Sequence, residues 1–305
     1  MKDLLTISDL TADEIKSLIE LADDVKSHPR KYSSALKQKC IALIFQKTST
    51  RTRLSFENGM YQLGGNAIYL DWNTTNLHLG DLSDEIKCVN LYVDLIMARV
   101  YKQETLEIMK KASKVPIING LSDLYHPCQI LADLMTIKEK IGTFEDVKVA
   151  WVGDGNNVCN DLILGCVSLN IPIMVATPRK YKPYQKVIDW VKEQQKTDYL
   201  TLSENPNEVV KDADIIYTDT FISMGQEAES EARLKAFLPK FQINKELLSY
   251  ANKNPYIMHC LPAHRGIEIT SDILDSENSI VFQQAENRLY AQKALMLKLL
   301  SEDYN

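Results

Sequence analysis

Two kinds of hydrophobic pattern alternate along this chain. Ile15, Leu18, Ile19, Leu21 and Ala22 recur at helical spacing behind Ser8, Asp9, Thr11 and Asp13, which predicts a capped amphipathic helix ending near Pro29 and lying on a sheet. Continuous apolar runs follow at 40–45, 66–70, 95–100 and 115–118, separated by helical-looking stretches. Short runs without a polar break suit strands covered on both faces. After Gly142 the alternation repeats, with runs at 147–152, 171–176, 213–217, 256–260 and 279–282. The expected fold class is therefore α/β, with two domains, each a parallel sheet flanked by helices. Interdomain helices join them, one at 130–141 and one from 285 onward that returns to the first domain. The boundaries that follow are 1–140 plus 285–305 for the first domain and 141–284 for the second.

A length of 305 residues agrees, since it gives each of two domains enough chain to bury a core. With 35 basic against 41 acidic side chains the net charge is -6, so nothing global favours nucleic acid or an anionic membrane. Any anion site must be local. The cysteines at 40, 88, 128, 159, 166 and 260 are scattered without a C-x-x-C pair, and read as thiols of a reducing cytosol with no metal site. The N-terminus lacks the apolar core and cleavage site of a signal peptide, and no stretch approaches the roughly 20 apolar residues of a membrane span. A cytoplasmic protein is expected.

In sheets of this kind ligands bind beyond the carboxyl ends of strands, so the loops after each run are where chemistry belongs. The first carries Ser49-Thr50-Arg51-Thr52-Arg53 into a helical pattern. Unpaired N–H groups at a helix start, hydroxyl donors and guanidinium forks together suit a phosphate. An ordinary cap would explain Ser49, but not three hydroxyls and two arginines in five residues. The glycines of a Walker loop are absent. Arg99 ends the third run, where it either joins that anion or is a surface charge. His126 and Gln129 flank a helix start with Pro127 in its first turn. They offer a donor for a carbonyl oxygen and an acceptor for an NH2 group, and a satisfied core histidine is the alternative.

In the second half, Gly153-Asp154-Gly155 suggests a dinucleotide turn, but the third glycine would fall at Val158 and no acid follows at the ribose position. Asn157 remains as an amide contact for a small polar substrate. Asp219, in Thr218-Asp219-Thr220, fits either a substrate ammonium or a helix cap. Cys260, in His259-Cys260-Leu261-Pro262, is a nucleophile, a proton-handling thiol or a buried cysteine. Arg288, near the start of the last helix, is placed to close the anion site.

Taken in order, Ser49-Thr50-Arg51-Thr52-Arg53, His126-Pro127-Cys128-Gln129, Asp219 with Ser223-Met224-Gly225, and His259-Cys260-Leu261-Pro262 resemble the aspartate/ornithine carbamoyltransferase family over nearly the whole chain. The last two motifs are those of its ornithine branch. The resemblance implies transfer of the carbamoyl group of carbamoyl phosphate to the side-chain amine of L-ornithine, giving L-citrulline and phosphate without a metal or organic cofactor. It implies that Ser49, Thr50, Arg51 and Thr52 bind phosphate, and that Arg99, His126, Gln129 and Arg288 hold the carbamoyl end. Asn157, Asp219, Ser223 and Met224 would bind ornithine. Cys260 and Leu261 would lie beside the reacting amine, with Leu261 counted also among the carbamoyl-phosphate contacts. Cys260, Arg51, Arg99 and His126 would be catalytic, and Arg53 structural. The family assembly is a homotrimer or a multiple of it.

One stretch departs from the family. A Glu-Ser-x-x-Asp-Thr sequence is replaced by Gly80-Asp81-Leu82-Ser83-Asp84-Glu85-Ile86-Lys87-Cys88, in what the family uses as a loop reaching a neighbouring active site. Asn76 stands about where a glutamine would contact carbamoyl phosphate.

Overall fold

The computed structural model describes residues 2–223, 225–301 and 304. The chain divides into two compact units, Met1–Met135 with Glu286–Asn305, and Thr136–Ala285.

The first unit is built on β1 (Cys40–Phe45), β2 (Asn66–Asp71), β3 (Leu95–Arg99) and β4 (Ile117–Leu121), all parallel, in the order β2-β1-β3-β4. Its helices are α1 (Ala12–Ser27), α2 (Thr50–Gln62), α3 (Leu82–Val89), α4 (Gln103–Ala112) and the first part of α5 (Pro127–Ile141). Central strands β1 and β3 are buried almost throughout, as their unbroken apolar runs require. Ala42, Ile44, Ile96 and Ala98 pack with Ile86 of α3 and with Leu106 and Met109 of α4. α1 starts in a capping box, Thr11 N–H donating to Glu14 and Glu14 N–H to the Thr11 hydroxyl. Strand β4 lies later than the run at 115–118 predicts. Pro116 has no N–H to give a ladder, and the polar Asn119 and Gly120 hide the strand's second half from an apolar reading. The stretch 80–88, read as a loop, folds instead as α3, because Asp81 caps it through the N–H groups of Ser83 and Asp84.

The second unit contains β5 (Val149–Val152), β6 (Ile173–Ala176), β7 (Leu200–Ser203), β8 (Ile215–Thr218) and β9 (Tyr256–His259), parallel in the order β7-β6-β5-β8-β9. The end of α5 leads in. α6 (Asn157–Ser168), α7 (Gln185–Glu193), α8 (Pro206–Val209), α9 (Ser230–Phe237), α10 (Lys245–Leu248) and α11 (Ser271–Leu274) follow, and α12 (Val281–Leu300) leads out. Ala150, Val152, Ile216 and Ile257 form a core with Phe221, Phe237 and Phe241. The run at 279–282 is not a strand. Ser279 makes a single bridge to Ile257, and α12 begins at Val281, since four apolar residues look the same as a strand or as the first turn of a buried helix. β7, whose middle residues Thr201 and Leu202 are exposed at the sheet edge, carries too little apolar sequence to be foreseen.

The strand orders reverse direction between β1 and β3 in one sheet and between β5 and β8 in the other. At such switch points the flanking loops diverge and leave a crevice at the carboxyl ends of the strands. No helix among the described residues is long and apolar enough to cross a membrane.

Candidate active site

The loops beside the first switch point carry the anion-binding candidates. Ser49 is the N-cap of α2, with extended backbone, and its hydroxyl accepts from the Thr52 N–H at 3.3 Å. That leaves Thr50 and Arg51 in the first turn, where backbone N–H groups have no partner within the helix. Arg99 is the last residue of β3, and its carbonyl accepts from the Gln46 N–H at 2.9 Å, tying the two loops together. His126 directly precedes α5, and its carbonyl accepts from the Gln129 N–H at 3.0 Å. From α12, Arg288 donates through Nη2 to the Thr52 hydroxyl at 3.0 Å and through Nη1 to Gln129 Oε1 at 2.9 Å. The Ser49 hydroxyl in turn donates to Thr52 Oγ1 at 3.0 Å. One network thus joins residues from α2, α5 and α12.

Four cations crowd this cluster. Burial, followed by the charges of Arg288, Arg99, Lys47 and Arg51, holds His126 well below the ordinary histidine range, so its ring is neutral and carries a single N–H. Burial and the Arg99 charge also pull Lys47 down to about 8. A neutral donor surrounded by cations suits a polarised carbonyl attached to a dianion. Arg53 points elsewhere. It pairs with Glu57, Nε to Oε2 at 3.0 Å, and lies over the Tyr69 ring at 3.9 Å, an exposed i,i+4 pair of structural character.

The second switch point is lined by carboxylates and amides. Asp219 follows β8, and both of its oxygens are engaged. The Cys260 thiol donates to Oδ1 at 2.9 Å, and Asn156 Nδ2 donates to Oδ2 at 2.7 Å. Asn156 is at the same time the N-cap of α6, its Oδ1 accepting from the N–H groups of Val158 and Cys159. Asn157, the first residue of α6, is half-buried. Behind this loop lies a buried ion pair between Arg233 and Asp154, and Arg233 Nε also donates to the Phe221 carbonyl at 2.6 Å. The guanidinium is covered by the Tyr181 and Phe237 rings, at 4.5 Å and 5.6 Å. Burial raises Asp154 to about 7, with Arg233 opposing and Asp219 adding to the rise. Ser223 is fixed through its N–H, which donates to Gln226 Oε1 at 3.0 Å. Met224 lies outside the described residues.

The glycines that suggested a dinucleotide turn have a steric explanation. Gly153 has φ +146°, and a Cβ at Gly155 would stand 2.3 Å from the Pro183 nitrogen, so the second glycine admits the 182–183 backbone rather than a pyrophosphate.

Cys260 and Leu261 follow β9 on a braced turn. Leu261 takes the left-handed backbone at φ +57°, a conformation that costs a non-glycine residue about 1–2 kcal/mol. Its N–H donates to His259 Nδ1 at 2.8 Å, and His259 Nε2 donates to Glu268 Oε1 at 3.1 Å, with both side chains fully buried. An acceptor at Nδ1 places the proton on Nε2. Asp219, His259 and Cys260 bring possible ligand atoms within 4.8 Å of one another among the described residues. Both His259 nitrogens are already committed, so a cation there would have to break the turn.

The structure therefore joins Ser49, Thr52, Gln129 and Arg288 directly in one network, gathers Arg51, Arg99 and His126 around the same charge cluster, and joins Asp219 to Cys260. Asn76 it does not bring in. It opens the 3-10 turn Asn76–His78 after β2, itself exposed, and takes no part in that network among the described residues. Lys47, Asn156 and Arg233 are among the contributors that escaped the sequence reading. Asn156 left a signal, being a cap-type residue just ahead of a helix. Arg233 left none, because its partner is 79 residues away.

Comparisons with known proteins agree along the full length. Residues 2–139 match the family model described as aspartate/ornithine carbamoyltransferase, carbamoyl-P binding domain, and residues 145–299 match its Asp/Orn binding domain. The ornithine carbamoyltransferase of Archaeoglobus fulgidus is 47% identical over 306 residues, covering 99% of this chain and 99% of the relative. The anabolic ornithine carbamoyltransferase of Pyrococcus furiosus is 49% identical over 97% of this chain and 95% of its own. A solved structure of ornithine carbamoyltransferase from Pyrococcus furiosus superimposes with a TM-score of 0.92 at 50% identity, over 98% of this chain and 96% of that one.

Proposed function

The chain belongs to the aspartate/ornithine carbamoyltransferase family, and on that premise we propose that it transfers the carbamoyl group of carbamoyl phosphate to the side-chain amine of L-ornithine, giving L-citrulline and phosphate. The observation that carries the reading is the neutral, buried His126 among Arg51, Arg99 and Arg288, in the same unit as the hydroxyl-rich start of α2.

In this reading Ser49, Thr50, Arg51 and Thr52 take the phosphate, while Arg99, His126, Gln129 and Arg288 hold the carbamoyl end. Arginine forks and helix N–H groups match phosphate oxygens, and Gln129 offers an acceptor to the carbamoyl NH2. The uncharged amine attacks the carbonyl carbon, a C–N bond forms, and the C–O bond to phosphate breaks. Negative charge grows on the carbonyl oxygen and then on the leaving phosphate. Donors from Thr52, Arg99 and His126 stabilise the first, and Arg51 the second. His126 has no proton to surrender as an acid, so its part is hydrogen bonding alone.

Asp219, Asn157, Ser223 and Met224 recognise the amino-acid end of ornithine. A carboxylate oxygen has two acceptor positions, so Asp219 can take a substrate ammonium while keeping Cys260 and Asn156. The amine that attacks must first lose a proton from a form with an ordinary value near 10.4. Cys260 and Leu261 act beside that amine, and proton handling falls to the Cys260 thiol or to phosphate. A Cys260→Ser variant with an unchanged pH–rate profile would remove the thiol from that role.

The assembly attached to this reading is a homotrimer or a multiple of it, and the location the cytoplasm. Exposed Leu54, Tyr61, Leu79, Leu91 and Tyr92 in the first unit supply apolar surface for subunit contacts, and Asn76, also exposed, is free to serve a neighbouring protomer's site. Sedimentation would read the mass.

Steady-state assays with carbamoyl phosphate and ornithine, putrescine or N-acetylornithine test the substrate. Ornithine should be preferred, and a strong preference for putrescine overturns the assignment. A phosphonate–ornithine bisubstrate mimic should bind tightly, and Arg51→Ala should lose that binding together with about 100-fold to 1,000-fold in turnover.

A further inference from the structure

Gln129 is held from both ends. Its side chain is 1% exposed, and Arg288, 3% exposed, can only donate, so the group facing Arg288 Nη1 at 2.9 Å must be the amide oxygen. The amide nitrogen then falls on Asp133, one helical turn further along α5, donating to Oδ1 at 2.8 Å from a carboxyl that is fully buried. Amide orientation is commonly ambiguous in a protein, but here an obligatory donor on one side and an acceptor on the other leave one choice. Arg288 occupies one acceptor position of Oε1, and a second remains.

We propose that Asp133 is a positioning residue that makes the site selective for carbamoyl over acyl phosphates. By taking the Gln129 amide nitrogen, it keeps Oε1 turned to the side where the substrate NH2 must be met. Acetyl phosphate has the same shape and the same phosphate but a methyl group in place of the NH2, so it forgoes that hydrogen bond and leaves Oε1 half-used. Sites built around a substrate N–H discriminate strongly against analogues that lack it. Asp133 meets the Gln129–Arg288–Thr52 chain at the Gln129 amide nitrogen, whereas the contact to Thr52 is made by Arg288.

The inference rests on the functional reading above, and the experiment separates the two. Wild-type protein is assayed for citrulline formation, with acetyl phosphate and inorganic phosphate measured as inhibitors competing with carbamoyl phosphate. Failure of the wild type to form citrulline would sink the functional reading itself. Given activity, Asp133→Leu should raise KM for carbamoyl phosphate about tenfold, the value of one hydrogen bond, while the inhibition constants of acetyl phosphate and phosphate stay within about twofold. Asp133→Asn, whose side-chain oxygen still accepts from the Gln129 amide, should restore most of the loss. If Asp133→Leu does not fold, Asp133→Ser, too short to reach the amide, gives the same test. Equal weakening of carbamoyl phosphate, acetyl phosphate and phosphate would show a merely structural role and overturn the proposal.

Discussion

Each unit places a polar cluster at the switch point of a parallel sheet, yet the two clusters are electrostatic opposites. The first gathers Arg51, Arg99, Arg288 and Lys47 around a neutral His126, and the second pairs Asp219 with Asp154 in reach of one buried cation, Arg233. The difference lies in how each excess of charge is tolerated. Unit 1 crowds four cations around one neutral ring, and their charges help hold His126 low. Unit 2 pairs Asp154 with Arg233 and engages both Asp219 oxygens with a thiol and an amide, so that the carboxylate is held in one orientation. One fold plan thus carries clusters of opposite charge at the ends of its strands.

If internal compensation is what organises unit 2, the largest effect should come from Arg233. Arg233→Met would strand Asp154 in a buried position and remove the anchor of the Phe221 carbonyl, and breaking a buried pair this way costs about 3–5 kcal/mol. Adding Asp154→Leu should restore most of the stability, because a packed apolar pair replaces such ion pairs with little penalty. The ornithine KM should stay raised in the double variant, and the carbamoyl-phosphate KM should not move. Thermal unfolding and steady-state kinetics on the three proteins would read this, and recovery of ornithine binding with stability would show that Arg233 does not position the 219–223 loop.

Legibility in sequence follows the range of the interactions. The sheet strands and the capped start of α2 are local, written in unbroken apolar runs and in hydroxyls next to arginines. What stayed hidden depends on distant partners or on edges. β7 is exposed at the sheet margin, the run at 279–282 opens a helix after a single bridge, and the glycine at 155 admits the 182–183 backbone. In the site, Ser49 and Thr52 could be read from their own neighbourhood. The Asp154–Arg233 pair could not, since its members stand 79 residues apart, and the Asp133–Gln129 contact, though local, looks in sequence like any i,i+4 pair on a helix.

Opposite charge also predicts opposite pH dependence. His126 is neutral when folded and has a depressed value, so the unfolded chain binds its proton first as pH falls. Its contribution to stability is present above about 6.5 and is lost below that, at about 1.4 kcal/mol per pH unit. Asp154 is raised from 3.8 to about 7, so the folded chain binds its proton first. Its contribution is fully present below about 4 and is lost as pH rises through about 7. Unfolding midpoints measured from pH 4 to 8 should show the acid-side loss disappear in His126→Gln and the loss toward neutrality disappear in Asp154→Asn. Slopes of the same sign in both variants would break the comparison.

The finest contrast is between the two helix caps. Ser49 caps α2 through one N–H and shares its hydroxyl with Thr52, whereas Asn156 caps α6 through two N–H groups and also holds Asp219 Oδ2. Removing either cap should cost about 1 kcal/mol in stability, the usual value for such a residue. Their kinetic consequences should diverge. Ser49→Ala removes a hydroxyl that the proposed reading gives to the phosphate, and should raise KM for carbamoyl phosphate alone. Asn156→Ala releases one oxygen of Asp219 and, on the proposed assignment of that carboxylate to the substrate ammonium, should raise KM for ornithine alone. If both variants raised both constants equally, the caps would act only through stability, and the division of labour between the two units would not extend to their helix starts.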